Sequence, residues 1–420
     1  MAMHDFTALV RSLKDFLPDF LILKLAQHHN VLQRQRKVDL VCFVWTIILG
    51  SCHQRSLSAL ARCYEQTTGC LLDRSAFYRR FTLNLARLFE DLFSYCAGAK
   101  VHSSLGAFKE ILAMDATLIR LWQHLADKFP SVNDGQAHAK LQLVINVCDM
   151  TPNQLKLSDG KSHELKQWKS LGPWLKDRLL LVDLGYYCFW FLHRVDAHGG
   201  YFLSRVKTNC TLLILEDVDS GPGRRVNVCG RTLKDALKLL KRQRFEFIVQ
   251  VPVKLRSKRQ IEYKWRVIGH LNEETGKYHI YMTNAPSTLI PSQDVTKLYA
   301  LRWQIELLFK GLKQTCGLNR LPSSKPEVVK VLILASLLFV LMSGWLRQRL
   351  FGVHKIEQAP MQRVLKIVAQ WAQSMLMAIC KMSDYFKSHD ALTLLKRQCR
   401  DPNLFRERAF GISPIADFSP

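Results

Sequence analysis

Four residues in the stretch YALRWQIELLFKGLK could do chemistry together: Tyr299, Arg302, Glu306 and Lys313. A helix turning by roughly 100° per residue brings them within an arc of about 60°. One narrow face then carries a phenol, a guanidinium, a carboxylate and an ammonium. Leu298, Leu301, Ile305, Leu308, Phe309 and Leu312 gather on a stripe about 100° away, the pattern of a helix held against a core. Alone, such a face reads as a solvated, salt-bridging surface. Whether it is more depends on the partners the chain supplies for Glu306.

Two aspartates are placed to be those partners. Asp115 follows Ile111-Leu112-Ala113-Met114, and Asp183 follows the run RLLLV. A carboxylate at the end of a buried strand is costly unless something answers its charge, and a divalent metal commonly answers two at once. The plainer role for each is to cap the element that follows. Asp149 and Asp196 occupy comparable places; Asp149 directly precedes the Thr151-Pro152-Asn153 turn, where an aspartate serves local hydrogen bonding.

The elements needed to position these side chains follow from periodicity. From Met1 to about Lys100 the pattern is helical, with DLVCFVWTIILG as a core helix. Ser56–Tyr64, a turn with Gly69, and RSAFYRRF then resemble a helix-turn-helix presenting Arg74, Arg79 and Arg80 to DNA. The texture turns strand-like near His102. Phe108 to Ile119, Lys140 to Cys148 and Gln154 to Leu157 read as three strands, His163 to Leu171 as a helix, RLLLVD as a strand buried on both faces, Cys188 to His198 as a helix and YFLSRVK as a fifth strand. A three-stranded meander, a helix and a buried central strand is the order of an RNase H-like fold. The expected architecture is α/β, a mixed five-stranded RNase H-like sheet interrupted by a β-rich insertion and flanked by helical regions. The expected divisions are 1–105 helical and DNA-binding, 106–207 first part of the core, 208–283 insertion, 284–320 second part carrying Glu306, and 321–420 helical.

Composition points the same way. Of 420 residues, 60 are Lys or Arg against 35 Asp or Glu, a formal charge of +25, and a field of that size attracts polyanions, nucleic acid first. The runs Lys241 to Arg244 and Lys254 to Arg259 are candidates for phosphate contacts. None of the twelve cysteines forms a C-x2-C pair, which suits reduced thiols; Cys52, His53, Cys63 and Cys70 are the alternative, a zinc site. The N-terminus lacks the apolar region of a signal peptide, and the apolar run from Val331 to Trp345 is shorter than the roughly 20 residues of a membrane span, so a buried helix and no membrane partner are expected.

The spacing Tyr299-x2-Arg302-x3-Glu306-x6-Lys313 resembles the Tyr-Arg-Glu-Lys signature of a large group of bacterial insertion-sequence transposases of the DDE type. Asp115 in ILAMDATLIRLW resembles that group's first aspartate. Asp183 resembles the second, with Gly185-Tyr186 after it and YFLSRVK downstream. Leu184 departs from the pattern, standing where many members carry arginine. The resemblance implies a transposase that binds the inverted-repeat ends of its element and performs metal-dependent strand cleavage and strand transfer, as a homodimer on double-stranded end and target DNA, in the bacterial cytoplasm at the nucleoid. It implies two Mg2+ ions, with Mn2+ as a substitute, held by Asp115, Asp183 and Glu306. Arg302 and Lys313 would grip phosphates, Tyr299 would meet a phosphate or a displaced base, and Tyr278, His279 or Tyr281 would stack on a flipped base. The alternatives are an RNase H-like nuclease or resolvase acting on branched DNA, and an idle DNA-binding relative of a transposase.

Overall fold

A computed structural model describes residues 6–31, 38–52, 56–70, 72–98, 107–169, 171–207, 210–219, 226–255, 260–321, 323–352, 358–381, 396 and 399. His53, the loop at 221–225, residues 256–259 of the second basic run, and the helical pattern expected beyond 381, apart from 396 and 399, lie outside them.

Among the described residues six helices come first, α1 (Phe6–Phe16), α2 (Asp19–His28), α3 (Leu40–Ser51), α4 (Leu57–Thr68), α5 (Arg74–Arg79) and α6 (Leu83–Gly98). Their ends follow local chemistry. Asp39, Ser56 and Asp73 accept hydrogen bonds from the backbone N–H groups of Cys42, Ala59 and Ala76 and so start α3, α4 and α5. Gly69 ends α4 at φ +72°, a conformation that costs glycine little. The expected pair of helices around a turn is therefore present, its second member six residues long.

Next come β1 (Ile111–Leu121), β2 (Ala137–Asn146), β3 (Pro152–Asp159), α7 (Glu164–Gln167), β4 (Leu179–Val182), α8 (Phe189–Ala197) and β5 (Tyr201–Arg205), then β6 (Leu213–Asp219), α9 (Leu233–Leu239), β7 (Arg244–Lys254), β8 (Gln260–Asn272) and β9 (Lys277–Thr283). The chain continues through α10 (Val295–Ala300), α11 (Trp303–Thr315), β10 (Arg320–Leu321), α12 (Pro326–Phe351) and α13 (Met361–Lys381). The helix expected over His163 to Leu171 is only the single turn α7, because Gly172-Pro173 follows closely and Trp168 turns into the core.

The expected sheet needs correction. Instead of five strands and a separate insertion, the described residues form one ten-stranded sheet, in the order β3-β2-β1-β4-β5-β9-β8-β7-β6, with β10 also against β1. The join is the antiparallel pairing of Leu203, Ser204 and Arg205 with Thr283, Met282 and Tyr281. The end of β9 is buried, so its unpaired backbone groups could not be left to water and the insertion grows from the edge of β5. Within this sheet β1 and β4 run parallel, Met114 opposite Val182, and β2 and β3 form the expected meander.

Alternate residues of the central strands feed two cores. One core holds Leu112, Met114, Leu180 and Val182 with α8 and the strands of the insertion. The other holds Ala113, Leu143 and Leu181 together with α3, α6, α10, α11, α12 and α13. The helices from both ends of the chain thus form one layer on one face of the sheet. α12 runs for 26 residues, longer than expected, and is long and apolar enough to cross a membrane by composition. Of its most apolar window 89% is buried inside the protein, the setting of a core helix that is hydrophobic all round.

Candidate phosphoryl-transfer site

The register of β1 and β4 sets the centre of the site. Met114 and Val182 are the last paired residues, so Asp115 and Asp183 come next on neighbouring parallel strands. β4 stops there, while β1 runs on alone on that side until Arg120 and Leu121 meet β10. Asp183 begins the turn at 184–186, yet its carboxylate caps none of the turn's N–H groups. The plain capping role does not account for it. Asp149 shows the contrast: it is buried, and one of its oxygens accepts from both the N–H and the hydroxyl of Thr151, as its turn position leads one to expect.

Glu306 reaches the same place from α11. The single helix expected over Tyr299 to Lys313 is broken at Leu301 and Arg302 into α10 and α11, a correction to the sequence reading. Tyr299 ends up buried, its hydroxyl donating to the carbonyl of Val182 at 3.3 Å and its ring 5.2 Å from that of Tyr281. Burial pushes its pKa up to about 12. It therefore braces the end of β4. Tyr281 is buried too, and Tyr278 is tied to the backbone of Arg242, so neither presents a ring for stacking; His279 faces Asn272.

Arg302 occupies the middle. One terminal nitrogen donates to Glu306 Oε1 at 2.5 Å and the other lies 3.5 Å from Asp115 Oδ2. Its Nε and Nη1 are buried without a hydrogen-bond partner. The Asp115 carboxyl, three-quarters shielded, is pushed up to about 6, mainly by burial. The neighbouring charges of Asp183 and Glu164 push in the same direction, and the Ala116 N–H at 2.7 Å and Arg302 oppose them. Lys313 is half-buried further along α11.

The structure thus brings Asp115, Asp183, Arg302 and Glu306 together, with Tyr299 behind them. Arg74 and Arg79 are exposed on α5, and Arg80 folds back onto the carbonyl of Ala76 at 2.6 Å. The run at 241–244 is largely committed elsewhere: Arg242 pairs with Asp217 at 2.8 Å and Arg244 with Asp219 at 2.6 Å. The cysteines form no disulfide, Cys52 hydrogen-bonds to the carbonyl of Leu49 and Cys63 to Gln373, and no zinc-binding cluster appears among the described residues.

Two residues at the site were not foreseen. Glu164, on α7, lies so close to the turn after Asp183 that a Cβ at Gly185 would stand 3.4 Å from its Oε2. In sequence it looks like any acid in a helix's first turn. Trp303, beside Arg302, is 55% exposed, and only its place off the apolar stripe hinted at that.

Hard oxygen donors suit Mg2+. Asp115, Asp183 and Glu306 supply them, and the Arg302 guanidinium already stands as a cation between two of the three. In this arrangement no three acidic, His or Cys side chains among the described residues are spaced to grip one ion. The chemistry of the donors suits the metal, and Arg302 lies between two of the three carboxylates.

Two neighbouring parallel strands and a helix thus carry carboxylates toward one place at the edge of the sheet. Residues 106–342 match the family described as "Transposase DDE domain", and the chain belongs to it. It is similar to the transposase for insertion sequence element IS231B of Bacillus thuringiensis subsp. berliner, 24% identical over 74% of this chain and 73% of that one. The transposase for IS1151 of Clostridium perfringens is 23% identical over 80% of each. A putative transposase InsL for IS186A of Escherichia coli K12 is 37% identical over 75 residues, 18% of this chain and 20% of that one.

Proposed function

We propose that this transposase cuts DNA at the ends of its insertion sequence and joins the freed 3′-hydroxyl to target DNA, with Asp115, Asp183 and Glu306 as its catalytic carboxylates. The observation that carries the reading is Arg302 lying between Asp115 on β1 and Glu306 on α11. It joins carboxylates from opposite ends of the catalytic region around one cation. In-line displacement at phosphorus needs positive charge beside the attacking and leaving oxygens, and a pair of divalent ions on these carboxylates would supply it, Mg2+ by preference and Mn2+ in its place. Asp115 and Asp183 are fixed by neighbouring strands. Glu306 is carried by α11, whose buried Ile305, Leu308, Phe309 and Leu312 hold it still. Once DNA arrives, Arg302 turns its guanidinium to a phosphate, where its fork can bond two oxygens. Lys313 adds a point charge to the same backbone.

Exposed Arg74 and Arg79, with Arg80, are assigned to DNA held by the N-terminal helices, and a homodimer brings two ends together. The protein then works where bacterial DNA lies. A labelled fragment carrying the element's end should be nicked in the presence of Mg2+, and Asp115→Ala and Glu306→Ala should abolish nicking while leaving DNA binding in place. Cleavage that survives either substitution removes the residue from the site. Cutting of branched DNA without regard to end sequence favours the nuclease reading instead.

A further inference from the structure

The arginines on the far half of the sheet are largely neutralised. Arg242, Arg244 and Arg266 pair with Asp217, Asp219 and Glu246, and Arg178, just before β4, pairs with Glu110. The β1–β2–β3 end is different. Arg120, Lys140 and Lys156 lie on the face of these strands that points away from the helical layer, and no carboxylate among the described residues pairs with any of them. Lys140 spends one donor on the carbonyl of Ser162 and Lys156 leans over the ring of Trp168, contacts that aim the charges without cancelling them.

Their register makes a line. Arg120 is opposite His138, two residues from Lys140; Lys140 is opposite Ser158, two residues from Lys156. Diagonal neighbours of this kind stand about 7–8 Å apart. On the same face of β1 and just past its end, Leu118 and Trp122 are each 44% exposed, apolar side chains left uncovered beside the cations. Three evenly spaced, unneutralised cations with an exposed indole at one end form a surface for a sugar-phosphate backbone.

The line also leads to the site. Lys156 lies level with Gln142 and Ala116, the neighbour of Asp115. The carboxylates point to the other face of the sheet, but between Asp115 and Ile119 the edge of β1 is covered by neither β4 nor β10. DNA passing over that gap can touch both faces. At about 3.3 Å per residue Arg120 is about 16 Å from Asp115, which is about five base pairs of duplex rise.

We infer that the diagonal Arg120–Lys140–Lys156, with Trp122 at its end, holds the substrate DNA on one side of the scissile phosphate, within about five to seven base pairs of the cut. This rests on the DNA-cutting reading above for its direction, and on binding alone for its test. Affinity for a labelled duplex spanning an element end and its flank is measured by fluorescence anisotropy across a salt series. Each of Arg120→Gln, Lys140→Gln and Lys156→Gln should lower the slope of log K against log salt by about 0.9, and the triple variant by about 2.7. A control triple, Lys234→Gln, Lys264→Gln and Lys277→Gln, removes the same charge from exposed positions on the other half of the molecule and should change the slope by much less. Trimming the duplex on one side of the cut to fewer than about five base pairs should weaken the wild type and leave the diagonal triple unaffected. Equal losses in both triples, or no loss in the first, overturn the inference. Failure of the wild type to cleave counts against the proposed function and leaves these binding slopes to be read on their own.

Discussion

At the scale of single residues the site is a balance of charge, and Asp115 is where it can be weighed. Its folded pKa of about 6 lies above the ordinary carboxylate value of about 3.9. The folded state therefore holds the proton more tightly, so the contribution of Asp115 to stability is fully present below about pH 4 and is lost as pH rises through about 6. Asp115→Asn keeps the oxygen that accepts the Ala116 N–H and removes the ionisation. The variant should be about 2 to 3 kcal/mol more stable than wild type at pH 7.5, with the gap closing at pH 4, as read from chemical denaturation at the two pH values. Equal stability at both would mean the carboxylate is not desolvated. Arg302 is the other weight. In the DNA-free protein it answers the charges a metal would answer, so Arg302→Gln should bind Mn2+ about tenfold more tightly by calorimetry, a gain of about 1.4 kcal/mol. Unchanged or weaker Mn2+ binding would show that the guanidinium does not compete for the site.

Elements decide what those residues can reach. The strands that carry Asp115 and Asp183 were legible because each ends a continuous apolar run, and the face of Tyr299, Arg302 and Glu306 was legible from its spacing. The break at Leu301 and Arg302 was not: both residues keep helical dihedrals, and nothing in the composition marks a kink. Its consequence is the position of Tyr299, which the spacing alone leaves on the surface. Tyr299→Phe therefore separates two roles. As a brace on the carbonyl of Val182 the hydroxyl is worth about 1 kcal/mol of stability. Its loss should lower cleavage rate through Asp183 while leaving DNA affinity unchanged. A drop in DNA affinity at constant stability would instead mark a direct phosphate contact. Glu164 was illegible for a different reason, since its nearness to the turn after Asp183 depends on how one helical turn packs across the sheet.

For the molecule as a whole, sequence texture suggested helical regions at either end of a self-contained sheet. The sheet instead runs unbroken into the insertion, because strand edges must be paired wherever they are buried and a sequence carries no mark of which edge will do it. The terminal helices are likewise joined: Leu88, Leu92 and Phe43 from the N-terminal helices share one core with Leu334, Leu338 and Phe339 of α12. A helix apolar on every side must be covered all round, and here the first six helices supply much of the cover. A fragment of residues 107–381 should consequently expose α12, bind a hydrophobic dye and aggregate, while the full chain melts in one cooperative transition. A fragment that stays monomeric and melts at the temperature of the full chain would show that the sheet and α12 form a core of their own. The carboxylate site would then owe nothing to the N-terminal helices. If the fragment fails as expected, α12 is the route by which a change in the N-terminal helices reaches the α11 it packs against, and so Glu306.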